Sequence, residues 1–504
     1  MSIRWIAILL AGILAASATP AAEIAAGYGD RWSPKSHAGT APIHAPEPDD
    51  ESFVVDTATG LDTGCTYRGV GPLRFSVPVD RFVGEVKSDG TLADPALLVS
   101  NKVVSSKARL SMPAYDVDSG AAPVSPAEAE VDRIFFNDHE LDKPLTGTND
   151  TWIMNEFEVP IEFVRFPQRG PSGSKPSPAL NEIRIEIDTA NVDIGEEVWC
   201  TAIDWALLKI QAMAPILLVH GTAAGPDTWE ELVDDLEAAG APFEDNIQLT
   251  PNGSVAANGR QLAGIVKDQA ASFGVKKVHL VVHSKGGLDS RRYLSAHYDP
   301  ETVRVLSLHT LSTPHHGSIL ADLSYANRTV EEAESEDPDL MFYLNVDYWL
   351  DGRRGPQRPA LDDLRTGAAR EFNANNSLPQ GVRLYTYGAD ADGNNDGEIS
   401  GAEAEPLFPD VLGAPSVVYH ILRDVSAIQV TRRTRYFGID EYHEVEATAT
   451  TTAQDNDLSV TNTSSRYPGE ILHIGPLDRN HANMKDGDTA RSVLEKIRAD
   501  FPVR

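Results

Sequence analysis

Hydrophobic and polar residues alternate along the first part of the chain, from about residue 51 to 212. Apolar side chains occupy every second position in Leu73–Val79, Phe157–Phe163 and Ile183–Ile187. A period of two is typical of strands with one buried face, and turn-forming residues such as those at 170–173 separate these segments. The pattern predicts a separate domain of short antiparallel strands packed as a β-sandwich.

At Pro215 the pattern changes. Ile216–Val219 and Val278–Val282 are continuous apolar runs, which indicate strands buried on both faces of a parallel sheet. Apolar residues at helical spacing predict helices over 228–239, 259–273 and 288–296, and a third strand covers 303–311. Because strands and helices alternate, residues 213–504 are predicted to form a doubly wound, mostly parallel α/β domain.

The start of the chain has the features of an export signal. In residues 1–22, Arg4 precedes an apolar run from Trp5 to Ala16, and small residues follow it. The run is too short to cross about 30 Å of hydrocarbon. We therefore expect a secreted or periplasmic protein with no transmembrane segment after signal removal, and a flexible lead-in over residues 23–50.

Charge and cysteine content bear on the partners of the protein and on a possible disulfide. The 504 residues include 43 Lys and Arg against 75 Asp and Glu, and the net charge of −32 argues against a nucleic-acid partner. A hydrophobic content of 41% supplies buried cores for two or three domains. Cys65 and Cys200 are the only cysteines, and they either form one disulfide or remain two free thiols.

A candidate nucleophile follows the second buried strand. Residues 282–286 read Val-His-Ser-Lys-Gly between a strand and a helix, which is the position of the nucleophile elbow of α/β-hydrolases. Gly286 and Gly287 supply the small residues that this sharp turn needs, whereas Val282 replaces the usual upstream glycine. The motif indicates that Ser284 is a nucleophile; an ordinary strand-to-helix turn is the alternative.

Two backbone amides are candidates for an oxyanion hole. His220-Gly221-Thr222 directly follows the first buried strand, where a hydrolase of this fold places its second donor. The N–H of Thr222, together with that of Lys285 just after the nucleophile, is predicted to bind a developing oxyanion. A simple strand-ending turn is the alternative for these residues.

Several segments in chain order resemble the secreted bacterial true lipases of the Pseudomonas and Burkholderia type. They are Ile216–Gly221, His283–Gly287, Thr310–Ser318, and finally Asn456–Asp457 with Asn480–His481. The resemblance spans about residues 216–485 and implies an α/β-hydrolase in which Asp457 is the catalytic acid and His481 the base. The chemistry agrees, because a serine hydroxyl needs a histidine to take its proton and a carboxylate to orient that histidine.

Alternatives remain for both triad partners. Asp455 and Asp390 are the other candidates for the acid, and His473 is the rival base, although its apolar surroundings favour a core histidine. His309, His315 and His316 are interpreted as structural.

The resemblance also implies a lid-like insertion at residues 319–360. The apolar side chains between Leu340 and Leu350 either cover the site in water or pack as an ordinary helix.

A second motif predicts a structural Ca²⁺ site. Residues 392–403, within the segment 390–405, match the twelve-residue loop of an EF-hand, with glycine at position 6 and Ile399 at position 8. The predicted ligands are Asp392, Asn394, Asp396, Glu398 through its carbonyl, Ser400 through water, and Glu403. An acidic solvated turn is the alternative. The Ca²⁺ site of the lipases has an aspartate two residues after the catalytic histidine, where this chain has Asn483, so that family site is in doubt.

Together these observations predict a secreted serine hydrolase that cleaves carboxylic esters, with a lipid or ester substrate and a lipid–water interface as a candidate place of action. A phospholipase, a polyester depolymerase or an acyltransferase of the same fold is an alternative. So is a non-catalytic surface-binding protein, and the amino-terminal domain is a candidate for binding a surface or a polysaccharide.

Overall fold

The computed structural model describes residues 53–56, 65–119, 129–193, 195, 199–323, 325, 358–405, 407, 414–435, 440–469 and 472–503. The predicted signal at 1–22, the lead-in at 23–50 and most of the predicted lid, residues 326–357, lie outside the described residues. Within the described part of the chain, no helix is long and apolar enough to cross a bilayer.

The chain divides into two compact units. The first contains the described residues up to Val79 together with 107–165 and 180–210, and the second contains 80–106, 166–179 and the residues from 211 onward. The sequence pattern predicts one boundary near residue 212. Two segments that precede this boundary, 80–106 and 166–179, belong to the second unit in the structure.

Two antiparallel sheets form the first unit. Its strands are β1 (Phe53–Asp56), β2 (Thr66–Tyr67), β3 (Leu73–Val79), β4 (Lys107–Tyr115), β5 (Arg133–Phe136), β6 (His139–Glu140), β7 (Trp152–Pro160), β8 (Ala179–Glu186), β9 (Cys200–Ile203) and β10 (Leu207–Ile210). One sheet has the order β1-β10-β4-β9-β2 with β7 also paired to β4, and the other has the order β3-β8-β5-β6. Alternate residues are buried along β3 and β8, as the period of two predicts. That the two sheets form a separate sandwich domain stays a prediction.

The two cysteines form a disulfide within this unit. Cys65 and Cys200 lie 5.4 Å apart at Cα, and β2 and β9 pair beside them. The bridge closes a long loop and thereby restricts the unfolded chain.

The second unit is built on a parallel sheet. Its elements are α1 (Pro95–Ser100), β11 (Ile216–Val219), α2 (Glu230–Ala238), β12 (Phe243–Glu244), α3 (Val255–Phe273), β13 (Lys277–His283), α4 (Gly286–Ala296), β14 (Arg304–Leu311), α5 (Arg358–Leu364), α6 (Thr366–Asn375), β15 (Arg383–Asp390), α7 (Gly401–Ala404), α8 (Ala414–Asp424), β16 (Val425–Arg435), β17 (Asp440–Ala449), β18 (Leu472–Asp478) and α9 (Gly487–Asp500). The sheet has the order β12-β11-β13-β14-β15-β18, and every neighbouring pair is parallel. The predicted parallel α/β arrangement is confirmed.

The core of this unit lies between the sheet and α3. Apolar side chains of β11, β13 and β14 pack with Leu262 and Val266 of the helix. The helix starts at Val255, four residues before the predicted start, because the Ser254 hydroxyl accepts the N–H of Ala257 and caps it. The apolar periodicity used for prediction begins only later in the helix. The sheet and its helices bring the carboxyl ends of β11, β13 and β14 to one edge.

Candidate active site

The candidate nucleophile occupies a strained turn. Ser284 follows β13 directly and has φ +54°, a left-handed conformation that side-chain-bearing residues rarely adopt. Its N–H donates to the carbonyl of Leu311 at 2.9 Å, and its own carbonyl accepts the hydroxyl of Thr313 at 2.9 Å. These bonds hold the turn in a conformation that costs free energy, which is characteristic of functional sites.

Close backbone approach explains the glycines around the turn. A Cβ added at Gly221 would lie 2.7 Å from Cβ of Ser284, and one at Gly286 would lie 2.5 Å from the carbonyl oxygen of His220. A Cβ at Gly287 would clash with the side chain of Thr313. Gly286 and Gly287 are the first residues of α4, so they serve packing at the start of the helix as well as the turn.

The structure brings the three predicted triad side chains together. Nε2 of His481 lies 2.9 Å from Oγ of Ser284, and Nδ1 of His481 lies 2.9 Å from a carboxylate oxygen of Asp457. Asp457 is 1% exposed, whereas Ser284 keeps part of its surface open to solvent. The arrangement allows His481 to take a proton from the serine while Asp457 holds its ring.

The rival candidates bind elsewhere. His473 makes separate contacts: its Nδ1 lies 2.8 Å from Oγ1 of Thr386, and its Nε2 lies 2.8 Å from Oδ1 of Asn462. Asp390 accepts the hydroxyl of Tyr419 at 3.0 Å. Neither residue takes the place of the triad members.

Val282 replaces the glycine of the elbow motif without disturbing the turn. Its side chain is fully buried and packs in the core between the sheet and α3. The departure therefore alters the packing beneath the nucleophile rather than the geometry of Ser284.

The predicted oxyanion residues flank Ser284. Lys285 follows Ser284 immediately, and the turn that carries Thr222 approaches Ser284 at Gly221. Ala223, the next residue, has φ +53°, so this turn is also strained. The hydroxyl of Thr222 is buried and has no hydrogen-bond partner among the described residues.

The side chain of Lys285 has a role that the sequence analysis missed. It is completely buried and pairs with Asp289, one turn along α4, at 2.7 and 2.9 Å from the two carboxylate oxygens. Burial raises the pKa of Asp289 to about 6, although the ammonium group and the amide of Asn258 oppose that shift. The spacing of four residues in a helix is the signal that predicts such a pair.

Polar contacts also fix the turn that carries His481. Asn480 is 2% exposed; its side-chain oxygen accepts the N–H groups of Ala482 and Asn483, and its NH₂ group donates to the carbonyls of Glu403 and Glu405. All four hydrogen-bonding positions of this amide are thus used.

The predicted calcium loop has a defined shape. The two carboxylate oxygens of Asp392 accept the N–H groups of Asp396 at 3.1 Å and Gly397 at 2.9 Å. Gly397 has φ +84°, which explains the glycine at position 6. Ile399 packs with Leu458, the residue after Asp457. The loop therefore contacts the segment that carries the candidate acid.

Not all predicted ligands point into one site. Glu403 accepts the N–H of Ser400 at 2.8 Å as part of a capping box at the start of α7. Among the described residues, the only group of three carboxylate, thiol or imidazole ligand atoms within 4.8 Å of one another is Cys65, Asp116 and Cys200, which contains the disulfide. The carboxylates of Asp392, Asp396 and Glu403 do not converge in this structure.

Comparison with known proteins finds partial similarity to lipases. A triacylglycerol lipase of Pseudarthrobacter phenanthrenivorans is 40% identical over 121 residues, covering 21% of this chain and 35% of that protein. One of Burkholderia plantarii has the same identity and length of match, covering 31% of that protein. One of Vibrio cholerae is 30% identical over 191 residues, covering 36% of this chain and 59% of that protein. The chain is similar to triacylglycerol lipases over part of its length.

The similarity is partial. The chain spans between about one third and three fifths of the length of these relatives. No model of a known protein family matches the chain. Among solved structures, the mature Bacillus licheniformis lipase BlEst2 matches with a TM-score of 0.39 and 23% identity, over 56% of this chain and 91% of that chain. The Staphylococcus hyicus lipase matches with a TM-score of 0.33 and 15% identity, over 58% of this chain and 95% of that chain. At these TM-scores the structural matches carry no argument about mechanism.

Proposed function

We propose that this protein is an exported serine hydrolase of the lipase and esterase class, which cleaves carboxylic esters through an acyl-enzyme. The observation that carries the proposal is the hydrogen-bonded series Ser284–His481–Asp457 at the carboxyl edge of the parallel sheet, with 2.9 Å at each step. Similarity to triacylglycerol lipases supports an ester substrate.

The proposed mechanism follows from the positions of these groups. His481 takes the proton of Ser284 as the serine oxygen attacks the acyl carbon. The negative charge on the carbonyl oxygen is stabilised by the N–H groups of Thr222 and Lys285. His481 then protonates the leaving alcohol, and later activates a water molecule that releases the acid and restores the serine.

The experiment is hydrolysis of p-nitrophenyl butyrate by wild type and by Ser284→Ala. Turnover is expected to fall by about 10⁴-fold or more in the variant, because nucleophile and base act as a unit, while the folded content measured by circular dichroism stays the same. Ser290→Ala is the matched control. It removes a hydroxyl from α4, the helix that follows the turn, and that hydroxyl is buried without a hydrogen-bond partner among the described residues. Activity that survives in Ser284→Ala contradicts the proposal.

We further propose that residues 392–403 bind a structural Ca²⁺ ion. The support is chemical: the side chains of Asp392, Asn394 and Asp396 supply the hard oxygen ligands that Ca²⁺ prefers. The turn is already wrapped around Asp392 by two backbone hydrogen bonds. For Glu403 to serve as the twelfth-position ligand, it has to exchange its bond with the Ser400 N–H for the ion.

A further inference from the structure

The residue before the nucleophile contacts the residue proposed as the base. Nε2 of His283 lies 2.8 Å from the backbone carbonyl oxygen of His481. Because a carbonyl oxygen only accepts, the hydrogen of the His283 ring resides on Nε2. The two imidazole rings are also in contact, with centroids 4.7 Å apart. The side chain of His283 therefore joins the end of β13, directly before Ser284, to the main chain of His481, 198 residues later in the chain.

His283 is held in a fixed environment. The residue is 5% exposed, and the ring of Trp229 meets it edge-on at 6.4 Å. Burial lowers the pKa of His283 well below its usual value, and nearby Lys485 and His481 act in the same direction. The shift favours the neutral ring, which donates through Nε2 to the carbonyl of His481.

No alternative partner accounts for this ring. Nδ1 of His283 has no hydrogen-bond partner among the described residues, so the bond to His481 is its one polar contact in that part of the chain. A buried imidazole that serves packing alone leaves both nitrogens unsatisfied, at a cost in free energy. The retained polar ring is explained by the bond that it makes.

Other hydrogen bonds to backbone carbonyls also hold the turn that carries His481. The N–H of His481 donates to the carbonyl of Asp457 at 2.8 Å. The Lys485 ammonium donates to the carbonyl of Ala482 at 2.9 Å. Of these contacts, only that from His283 joins the main chain of His481 to β13, the strand that precedes Ser284.

We propose that His283 is a positioning residue, which fixes the main chain of His481 relative to Ser284 through its Nε2–H. The inference rests on the proposed function of these two residues. Misplacement of a catalytic group by about 1 Å lowers a rate by about 100-fold. Loss of the His283 donor is therefore expected to lower kcat by that factor and to leave KM nearly unchanged.

The test uses three variants of the full-length protein. His283→Leu removes the donor, and His283→Gln restores an N–H at the position of Nε2. His279→Leu is the matched control, since His279 is also buried in β13, and its Nδ1 pairs with the hydroxyl of Ser307 at 2.7 Å. The readouts are kcat and KM on p-nitrophenyl butyrate, the acid limb of the pH–rate profile, and the NMR titration of His481.

The expected result is an about 100-fold lower kcat and a shifted His481 titration in His283→Leu. His283→Gln recovers most of the wild-type kcat and most of the wild-type His481 titration. His279→Leu changes neither of these two quantities. The inference is overturned if His283→Leu retains wild-type kcat and titration, if Gln fails to rescue, or if His279→Leu has the same effect. The NMR titration needs no turnover, so a wild-type protein that hydrolyses no ester refutes the proposed function separately from this inference.

Discussion

Asp457 in the second unit and Glu130 in the first are both carboxylic acids with 1% exposure, yet their surroundings differ. Asp457 accepts the His481 ring and also the N–H groups of Ser459 at 3.0 Å and Val460 at 2.7 Å. Its oxygens therefore have donors in fixed positions. Such a carboxylate is suited to orient a histidine that becomes charged during a reaction.

Glu130 faces another acid. The nearby carboxyl of Asp132 is also fully buried, and the hydroxyl of Thr201 lies 2.5 Å from Asp132 and 3.4 Å from Glu130. Burial raises the pKa of Glu130 to about 10, and the charge of Asp132 adds to this effect. A buried carboxyl thus keeps its proton where its neighbour is an acid. Glu130 also accepts the N–H of Asp118 at 2.7 Å, which opposes the shift, so burial and the neighbouring acid together outweigh this donor in setting the pKa.

The largest effect is expected at Asp457. Asp457→Asn keeps the shape but loses the negative charge that stabilises the imidazolium, so kcat is expected to fall by about 10⁴-fold. Asp455→Asn removes a neighbouring exposed carboxylate and is expected to leave kcat within about twofold, as surface changes usually do. Steady-state kinetics on a short-chain ester measure kcat for both variants. A larger loss of kcat in Asp455→Asn than in Asp457→Asn would assign the acid to Asp455.

The next largest effect is expected at Asp289, a buried carboxylate that pairs with the ammonium group of Lys285. Asp289→Asn leaves the buried Lys285 ammonium without a charged partner, and the free energy of unfolding is expected to fall by about 3–5 kcal/mol. Removal of both charges in Lys285→Met/Asp289→Leu is expected to recover most of that loss. Urea unfolding measures both values. Equal losses in the single and double variants would show that the pair contributes nothing specific.

A smaller change in the free energy of unfolding, and an increase rather than a decrease, is expected on substitution of Glu130. Because its pKa is raised on folding, the proton-linked stability is complete below the unfolded value near 4.5 and is lost as pH rises through about 10. Glu130→Gln cannot ionise, so it is expected to stabilise the protein by about 2 kcal/mol at pH 8 and to have little effect at pH 4.

Urea unfolding of Glu130→Gln at several pH values measures this difference. The exposed Glu162, in the same unit, provides the control Glu162→Gln, for which only a surface-substitution effect within about 0.5 kcal/mol is expected. A Glu130→Gln variant that is less stable at pH 8 than at pH 4, relative to wild type, contradicts the interpretation.

Calcium is expected to have the smallest effect. At about five times the dissociation constant, binding adds about 1 kcal/mol to the stability, which raises Tm by about 2–4 °C. Asp392→Ala should abolish the increase, and Glu237→Ala, an exposed acidic change on α2, should retain it. Thermal unfolding with Ca²⁺ and with EGTA measures the shift, and a Tm that is the same in both refutes a bound ion.

The sequence predicted the elements whose local pattern is strong. Continuous apolar runs located β11 and β13, and the residues after β13 located the nucleophile turn. It missed the early start of α3, since the Ser254 cap precedes the apolar periodicity. It predicted Gly286 and Gly287 as the small residues needed beside Ser284, and the close approaches at both agree; the structure adds that they begin α4, two residues before the predicted helix start.

Contacts between distant parts of the chain were beyond prediction. The bond from His283 joins residues 198 positions apart, and no periodicity or spacing encodes such a pair. The raised pKa of Glu130 likewise depends on burial and on the approach of Asp132, which only the folded chain defines. Asp457 and His481, by contrast, were predicted as acid and base from the order of motifs that resemble those of lipases, and the structure brings the two side chains within 2.9 Å of each other.

The most direct measurement is the site of covalent labelling by a fluorophosphonate, mapped by peptide mass spectrometry. If Ser284 is activated by His481 and Asp457, the wild-type protein takes one label on Ser284 and Asp457→Asn takes it far more slowly. A wild-type chain that takes no label, or takes it on another residue, contradicts the proposed triad.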